Sequence, residues 1–322
     1  MSVTREKNIK SEIAYELHKP ARRNYPRRHV NVEGFKDLFQ ADLVEMIPYA
    51  KENKGYRYML TVIDVFSKFA WAVPIKRKTG LDVTKGALAV LNSADGRLIK
   101  PPRYLQVDEG KEFYNKHFKN MLKQFTPNIK MYSTCSNKKA SVVERFNRTL
   151  KNLMWREFSA QGSYKWLDML PKLLHKYNNT KHRMIKMKPS EAVKADERVI
   201  RNIHFNNNSK DLKKKNKKFK IDDRVRISHL KGVFEKGYTP NWSTEIFSII
   251  KVHPTRPVTY SLEDYRGQPI KGTFYEHELS KTNFPDTYLA EKILKRRGDR
   301  VLVKWLGFDK SHNTWEDLEN IV

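Results

Sequence analysis

The chain has 322 residues, 39% of them hydrophobic and 11% aromatic, enough for two or three domains with cores of their own. Lys and Arg number 64 against 36 Asp and Glu, a formal charge of +28 spread along the chain, which points to a polyanionic partner, most simply nucleic acid. The single cysteine, Cys135, excludes a disulfide framework and a Cys-rich zinc site; with no secretory signal and no run of about 18 apolar residues, the sequence predicts an intracellular protein with no membrane partner.

Residues 1–34 are polar and basic, with Arg22, Arg23, Arg27 and Arg28 around Tyr25 and Pro26. They read as an extended or disordered arm, suited to lie along a phosphate backbone or to serve as a nuclear-import address. His18 and His29 have no cysteine partners nearby, so no zinc module is read there. Strands are predicted at 37–47, 56–64 and 69–75 from runs of β-branched and aromatic residues. Thr79 with Asp82 reads as an N-cap, and Val83, Ala87, Leu88 and Leu91 form the apolar stripe of the helix that follows. A strand at 103–107, a helix at 114–125, a short strand at 129–132 and a long helix at 140–158 complete a mixed α/β sheet flanked by helices. On the long helix Val142, Phe146, Leu150 and Leu153 share one face, while Glu144, Arg148 and Lys151 share the other. Two more helices are expected, at 164–178 and from Pro189.

Residues 206–218 are rich in Asn and Lys and read as a tether, whose Lys213, Lys214 and Lys215 also touch DNA phosphates. From 219 to 281, short strands alternate with turns, the pattern of a small barrel on which Arg224, Arg226, Lys231 and Lys236 offer phosphate contacts and Trp242 is a core residue. Residues 286–322 form a third unit of short strands with a turn at Gly298-Asp299 and Trp315 in its core. The domain boundaries drawn on this basis are 1–34, 35–203, 204–218, 219–283 and 284–322.

Three acidic residues stand out. Asp42 lies inside an apolar strand, where a buried charge needs a partner. Asp108 ends a strand just before Gly110, and Glu144 follows 36 positions later on the long helix. Three carboxylates from two strands and a helix suit a two-metal site, with two Mg²⁺ (or Mn²⁺) ions about 3.5–4 Å apart. Asp64 reads instead as a turn residue before Phe66-Ser67-Lys68, and Glu112 as a capping or supporting residue.

Residues from about 35 to 195 resemble the catalytic core of retroviral and retrotransposon integrases, which have a ribonuclease-H-like fold and an Asp, Asp, Glu set with 35 residues between the last two. Asp42, Asp108 and Glu144 match that set, and Thr61 to Lys68, Asp108 to Phe113 and Val143 to Lys151 match its surrounding words. The segments Ala21 to Arg28 and Leu38 to Met46 look closest to integrases of self-synthesising Maverick/Polinton DNA transposons. The resemblance implies 3′-end processing of element DNA followed by strand transfer into target DNA, performed in the nucleus by an oligomer, a tetramer by analogy. Lys138, Lys139, Arg148 and Lys151 are the expected phosphate contacts around the long helix. The His/Cys zinc domain of retroviral relatives has no recognisable counterpart here. Residues 219–281 resemble the SH3-like domain of such integrases through Gly232 to Tyr238 and Asn241-Trp242.

Residues 288–318 resemble a chromodomain, through Tyr288 to Leu294, Val303 to Phe308 and Asn313 to Glu316. That family traps methylated lysine among three aromatics, and Tyr288, Trp305 and Phe308 match them, which implies a methylated histone tail as a further partner. The module stops short of the C-terminal helix that members of the family carry. Two other readings share the same fold: a domesticated DNA- and chromatin-binding protein without turnover, and a ribonuclease-H-type nuclease that cuts without joining.

Overall fold

The computed structural model describes residues 2–28, 30–92, 101–134, 140–209, 218–229, 231 and 235–321. Two compact units divide the chain: His29–Lys213, and Met1–Arg28 together with Lys214–Val322.

The first unit is built on a five-stranded sheet of β1 (Leu38–Glu45), β2 (Tyr58–Asp64), β3 (Ala70–Ile75), β4 (Tyr104–Gln106) and β5 (Lys130–Tyr132), in the order β3-β2-β1-β4-β5. β1 pairs antiparallel with β2, and β2 with β3; β4 runs parallel to both β1 and β5. Alternation along β1 decides what each face meets. Phe39, Ala41 and Leu43 enter one core with Val83, Ala87 and Val90 of α2 (Gly80–Asn92) and Phe118, Met121 and Leu122 of α3 (Lys116–Lys123). Gln40, Asp42 and Val44 therefore face the other way. On that side Val44, Met59 and Ile63 join Val143, Phe146, Leu150 and Met154 of α4 (Ser141–Gln161) and Leu173 and Tyr177 of α5 (Leu170–Asn178). The ribonuclease-H-like mixed sheet expected from the sequence is thus the fold of this unit.

Several boundaries move, for tertiary reasons. The helix expected from 164 begins only at Leu170, because the buried Asn53 intervenes: its amide donates to the Tyr164 carbonyl (2.8 Å) and its Oδ1 accepts from Trp166 N (2.7 Å). Val142 and Leu153 of the long helix are only partly buried; Val143, Asn147, Met154 and Phe158 are the buried positions beside Phe146 and Leu150. α6 (Pro189–Ala192) starts at the expected proline, but α7 (Glu197–Ser209) runs into a stretch read as tether. Ile200 of α7 packs with Phe66, Ile185 and Ala192, which supplies the burial that its polar composition does not advertise. Asp64 is the buried turn residue it was expected to be, accepting from Ser67 N (2.8 Å) and Ser67 Oγ (2.5 Å).

In the second unit a five-stranded antiparallel sheet has the order β10-β6-β7-β8-β9: β6 (Arg224–Ile227), β7 (Phe247–His253), β8 (Thr259–Glu263), β9 (Phe274–Tyr275) and β10 (Leu279–Lys281). Its core holds Phe219, Val225, Ile249, Tyr260 and Leu262. A three-stranded antiparallel sheet follows, of β11 (Ala290–Arg297), β12 (Arg300–Trp305) and β13 (Thr314–Asp317), with Gly298 at φ +58° in the β11–β12 turn. Trp315, expected in its core, is only half-buried, with the Arg297 guanidinium 5.6 Å from its ring.

The N-terminal residues correct the expectation of an extended or disordered arm. Ser2–His18 is a helix, α1, and its Ile13 and Leu17 are fully buried. Each such side chain is worth about 1.5–3 kcal/mol of apolar burial. The C-terminal end of α1 is closed from the β6–β7 segment. The Leu17 carbonyl accepts from Asn241 N (2.8 Å) and Trp242 N (3.1 Å), and the Lys19 carbonyl from Trp242 Nε1 (2.8 Å). The last carbonyls of a helix have no partner within it, so this contact fixes where α1 ends. Further along, Tyr25 donates to Glu278 Oε1 (2.5 Å) and its ring meets Tyr275 and His277. Among the described residues no helix is long and apolar enough to cross a membrane.

Candidate functional site

The parallel pairing of β1 with β4 sets Gln40 level with Gln106. Two residues on, β1 carries Asp42 on the face that Gln40 shares, and Asp108 follows two residues after the end of β4. Glu144 lies in the first turn of α4, which packs against that face. Asp42 is half-buried, and its carboxylate accepts from Leu43 N (2.9 Å) and from Asn147 Nδ2 (2.7 Å). Burial raises the Asp42 carboxyl above its ordinary range, and the negative fields of Asp108 and Glu144 raise it further, against the pull of the Leu43 and Asn147 bonds. Asp108 and Glu144 thus lie within electrostatic reach of Asp42. As they stand, no three His, Cys, Asp or Glu side chains among the described residues are close enough to form a cation cluster.

The donor set is nonetheless all oxygen, as hard divalent cations require. Asn147 adds to it: its side chain is 7% exposed, and its Oδ1 is buried with no hydrogen-bond partner. An orphaned acceptor beside two acids fits a site completed by a cation or its water. Sequence reading missed Asn147, although it stands three residues after Glu144 and so on the same helical face. It also missed Lys78, whose Nζ lies 3.0 Å from the buried Glu112 carboxylate and 3.9 Å from Glu45. The Glu112 bond, chiefly, holds the Lys78 ammonium above its ordinary range, with Asp108 adding to the field. Glu112 is therefore an ion-pair partner at the rim; Asn115, accepting from Phe118 N (3.0 Å), is the residue that caps α3.

The expected DNA contacts fare differently. Arg148 is exposed and Lys151 half-buried, on the Glu144 side of α4; Arg224 is exposed, donating to Ser248 Oγ (2.8 Å). Arg226 is a correction. It is 2% exposed, its guanidinium donates to the Ser243 and Thr244 carbonyls (2.9 and 2.8 Å), and Glu16 of α1 lies 3.7 Å away, so it is a structural cation turned inward. Lys231 is half-buried and donates to the Gly237 (3.3 Å) and Thr239 carbonyls. Lys138, Lys139, Lys213, Lys214 and Lys215 lie outside the described residues.

The three aromatics of the C-terminal sheet come together. The Tyr288 ring lies 6.5 Å from Trp305 and 5.6 Å from Phe308, both near edge-on, and all three are half-buried. Two neighbours were not foreseen: Tyr265, from the turn after β8, sits edge-on to Phe308 at 6.2 Å, and His312 lies 5.3 Å from the same ring. Nothing in the local sequence pairs Tyr265 with a residue 43 positions away; the packing of the two sheets does.

Residues 36–136 match the integrase core domain family, a span that includes Asp42 and Asp108, and residues 288–322 match the chromo (chromatin organisation modifier) domain family. A transposon-derived protein of Caenorhabditis elegans is 30% identical over 203 residues, 63% of this chain and 65% of that protein. The Pol polyprotein of Radiation murine leukemia virus (strain Kaplan) is 30% identical over 126 residues, 39% of this chain and 21% of the polyprotein. The chain thus spans less than two thirds of either relative. Among solved structures, the simian T-cell lymphotropic virus intasome in complex with the PP2A regulatory subunit B56 gamma aligns with a TM-score of 0.56 and 14% identity, covering 84% of this chain and 90% of that one, a likeness of fold. The protein therefore carries a retroviral-integrase-like core of ribonuclease-H-like fold, and a chromodomain.

Proposed function

We propose that the protein is a DNA integrase of a transposable element, which processes the 3′ ends of element DNA and joins them to target DNA. The observation that carries this reading is Asp42 on an integrase-type core, bonded to Asn147 of α4, whose Oδ1 is left without a partner, with Asp108 and Glu144 within electrostatic reach of it. Asp42, Asp108 and Glu144 would hold the Mg²⁺ or Mn²⁺ ions. When bound, two such ions supply Lewis-acid activation of the attacking oxygen and stabilisation of the departing one. The chain's own residues orient the site. Asn147 keeps the Asp42 carboxylate turned toward α4, and the Lys78–Glu112 pair places a cation at the rim beside Asp108. Arg148 and Lys151 offer phosphate contacts on the side of α4 that bears Glu144. Water attacks in the first step and the freed 3′-hydroxyl in the second, so one constellation serves both.

The finer assignments belong to the same reading. The 219–283 sheet acts as an SH3-like DNA-binding domain, and Tyr288, Trp305 and Phe308 hold a methylated lysine of a histone tail, aromatic faces attracting a quaternary ammonium. The protein works in the nucleus as a homo-oligomer, because joining two element ends needs more than one active site, and as a tetramer by resemblance to integrases. The source is an element of the self-synthesising transposon type.

The test is a strand-transfer assay with Mg²⁺ on an element-end duplex, comparing the wild type with Glu144→Gln. Joined product from the wild type and none from the variant is the expected result. Cut but unjoined product would select a nuclease, and no product a DNA- and chromatin-binding protein.

A further inference from the structure

β1 and β4 each carry a glutamine two residues before their aspartate, and both glutamines are buried, Gln40 at 0% and Gln106 at 2% exposure. They form a chain of bonds beneath the site. Gln40 Nε2 donates to Gln106 Oε1 (2.9 Å), and Gln106 Nε2 donates to Thr134 Oγ1 beyond β5 (3.3 Å). Gln40 Oε1 accepts from Val142 N (2.9 Å) and Val143 N (3.0 Å), the second and third residues of α4.

This last contact is unusual in its source. The first N–H groups of a helix need acceptors that the helix lacks, and an N-cap side chain ordinarily supplies one. The N-cap of α4 is Ala140, which has no such side chain. The cap of the helix that bears Glu144 is therefore a strand residue, and that residue is also the one bonded to the strand that bears Asp108. One amide thus touches the elements that position all three acids, its own backbone leading to Asp42. Buried amides are ordinarily held by hydrogen bonds, and these bonds tie β1, β4 and the start of α4 together.

We infer that Gln40 and Gln106 are positioning residues that set the spacing of Asp42, Asp108 and Glu144 for divalent-cation binding. The inference rests on the proposed integrase reading. It assigns the glutamines no contact with DNA or cation; they act through the backbone of β1 and β4 and the first turn of α4. Partners that orient ligands in this way commonly tune cation affinity by tenfold or more.

The experiment is a Mn²⁺ titration of the full chain, following the free-ion signal by electron paramagnetic resonance. Wild type, Gln40→Leu, Gln106→Leu and Asp42→Asn are compared, with circular dichroism of each. Gln40→Leu and Gln106→Leu should bind Mn²⁺ about 10–100-fold more weakly with unchanged helix content. Wild-type affinity in folded Gln106→Leu overturns the inference. Where Gln40→Leu does not fold, Gln106→Leu decides alone, since it leaves both bonds from α4 to Gln40 in place. The Asp42→Asn control separates the two levels. If it binds Mn²⁺ and joins DNA as the wild type does, the integrase reading falls and the inference with it. If it loses both while Gln106→Leu keeps wild-type affinity, the inference alone falls.

Discussion

Helices α4 and α1 each have an end closed by a distant segment, and they differ in how. The N-terminus of α4 is capped by the side chain of Gln40, across 102 residues, and the bond is polar on both sides. The C-terminus of α1 is capped by the backbone of Asn241 and Trp242, and next to that cap Ile13 and Leu17 are buried. In the core unit the sheet is already held by apolar packing on both faces, so the polar join is free to specify geometry. In the terminal unit the apolar face of α1 supplies the attachment itself, and the hydrogen bonds with the Glu16–Arg226 pair fix its register. Removing the first kind of join should loosen a site; removing the second should loosen a domain.

The largest effect on that contrast is expected from Leu17→Ala. It should cost the terminal unit about 2–5 kcal/mol, as a cavity in a packed core does. Calorimetry of the full chain should show the transition of that unit lowered and that of the core unit unmoved. A single lowered transition for the whole chain would break the distinction between the two units. A smaller loss, about 0.5–1.5 kcal/mol, is expected from Asn241→Ala. Its side-chain amide donates to the His18 carbonyl (3.0 Å), while the backbone bond to Leu17 remains. Denaturant unfolding monitored by tryptophan fluorescence would measure it, and a loss as large as that of Leu17→Ala would place the attachment in the cap instead of the apolar face.

The smallest effect concerns the core unit and pH. His182 is held down from the usual 6.5 to about 4, first by burial and then by the positive fields of Lys68, Arg145, Arg183 and His204. A depressed histidine favours the folded state while neutral. Its contribution is full above pH 6.5 and is lost as pH falls through about 4. Asp64 acts with the opposite sign: burial lifts it from 3.8 to about 6, so its contribution is present at low pH and lost as pH rises through that value. The difference in Tm between wild type and His182→Gln cancels the Asp64 part. That difference should shrink as pH is lowered from 6.5 to 4, and a constant difference would show that His182 does not titrate with folding.

Much of the core was legible because its signals are local. The β-rich runs at 56–64 and 69–75, the Thr79 cap (its Oγ1 accepts from Asp82 N at 3.2 Å) and the period of the long helix each act within one element. The candidate acids were legible for a different reason: the 35-residue interval and the words around it carry a resemblance, which no propensity supplies. What escaped were residues whose role is a pairing. Gln40 and Gln106 look like ordinary polar positions until the parallel register sets them side by side. Asn53, which delays α5, and Tyr265, which joins the aromatic group, escaped in the same way.

The sequence by itself determined the order of elements from β1 to α4, the alternation that turns Asp42 away from the α2–α3 core, the polyanion-seeking charge and the aromatic trio within 21 positions of chain. The tertiary structure alone decided that Ser2–His18 is a helix attached to the last third of the chain, that Arg226 points inward, and which side chain caps α4. The physical reason is one of range. Propensity and periodicity act over a few residues, whereas an unpaired helix end or an exposed apolar stripe only states a need, and the fold chooses which distant group meets it.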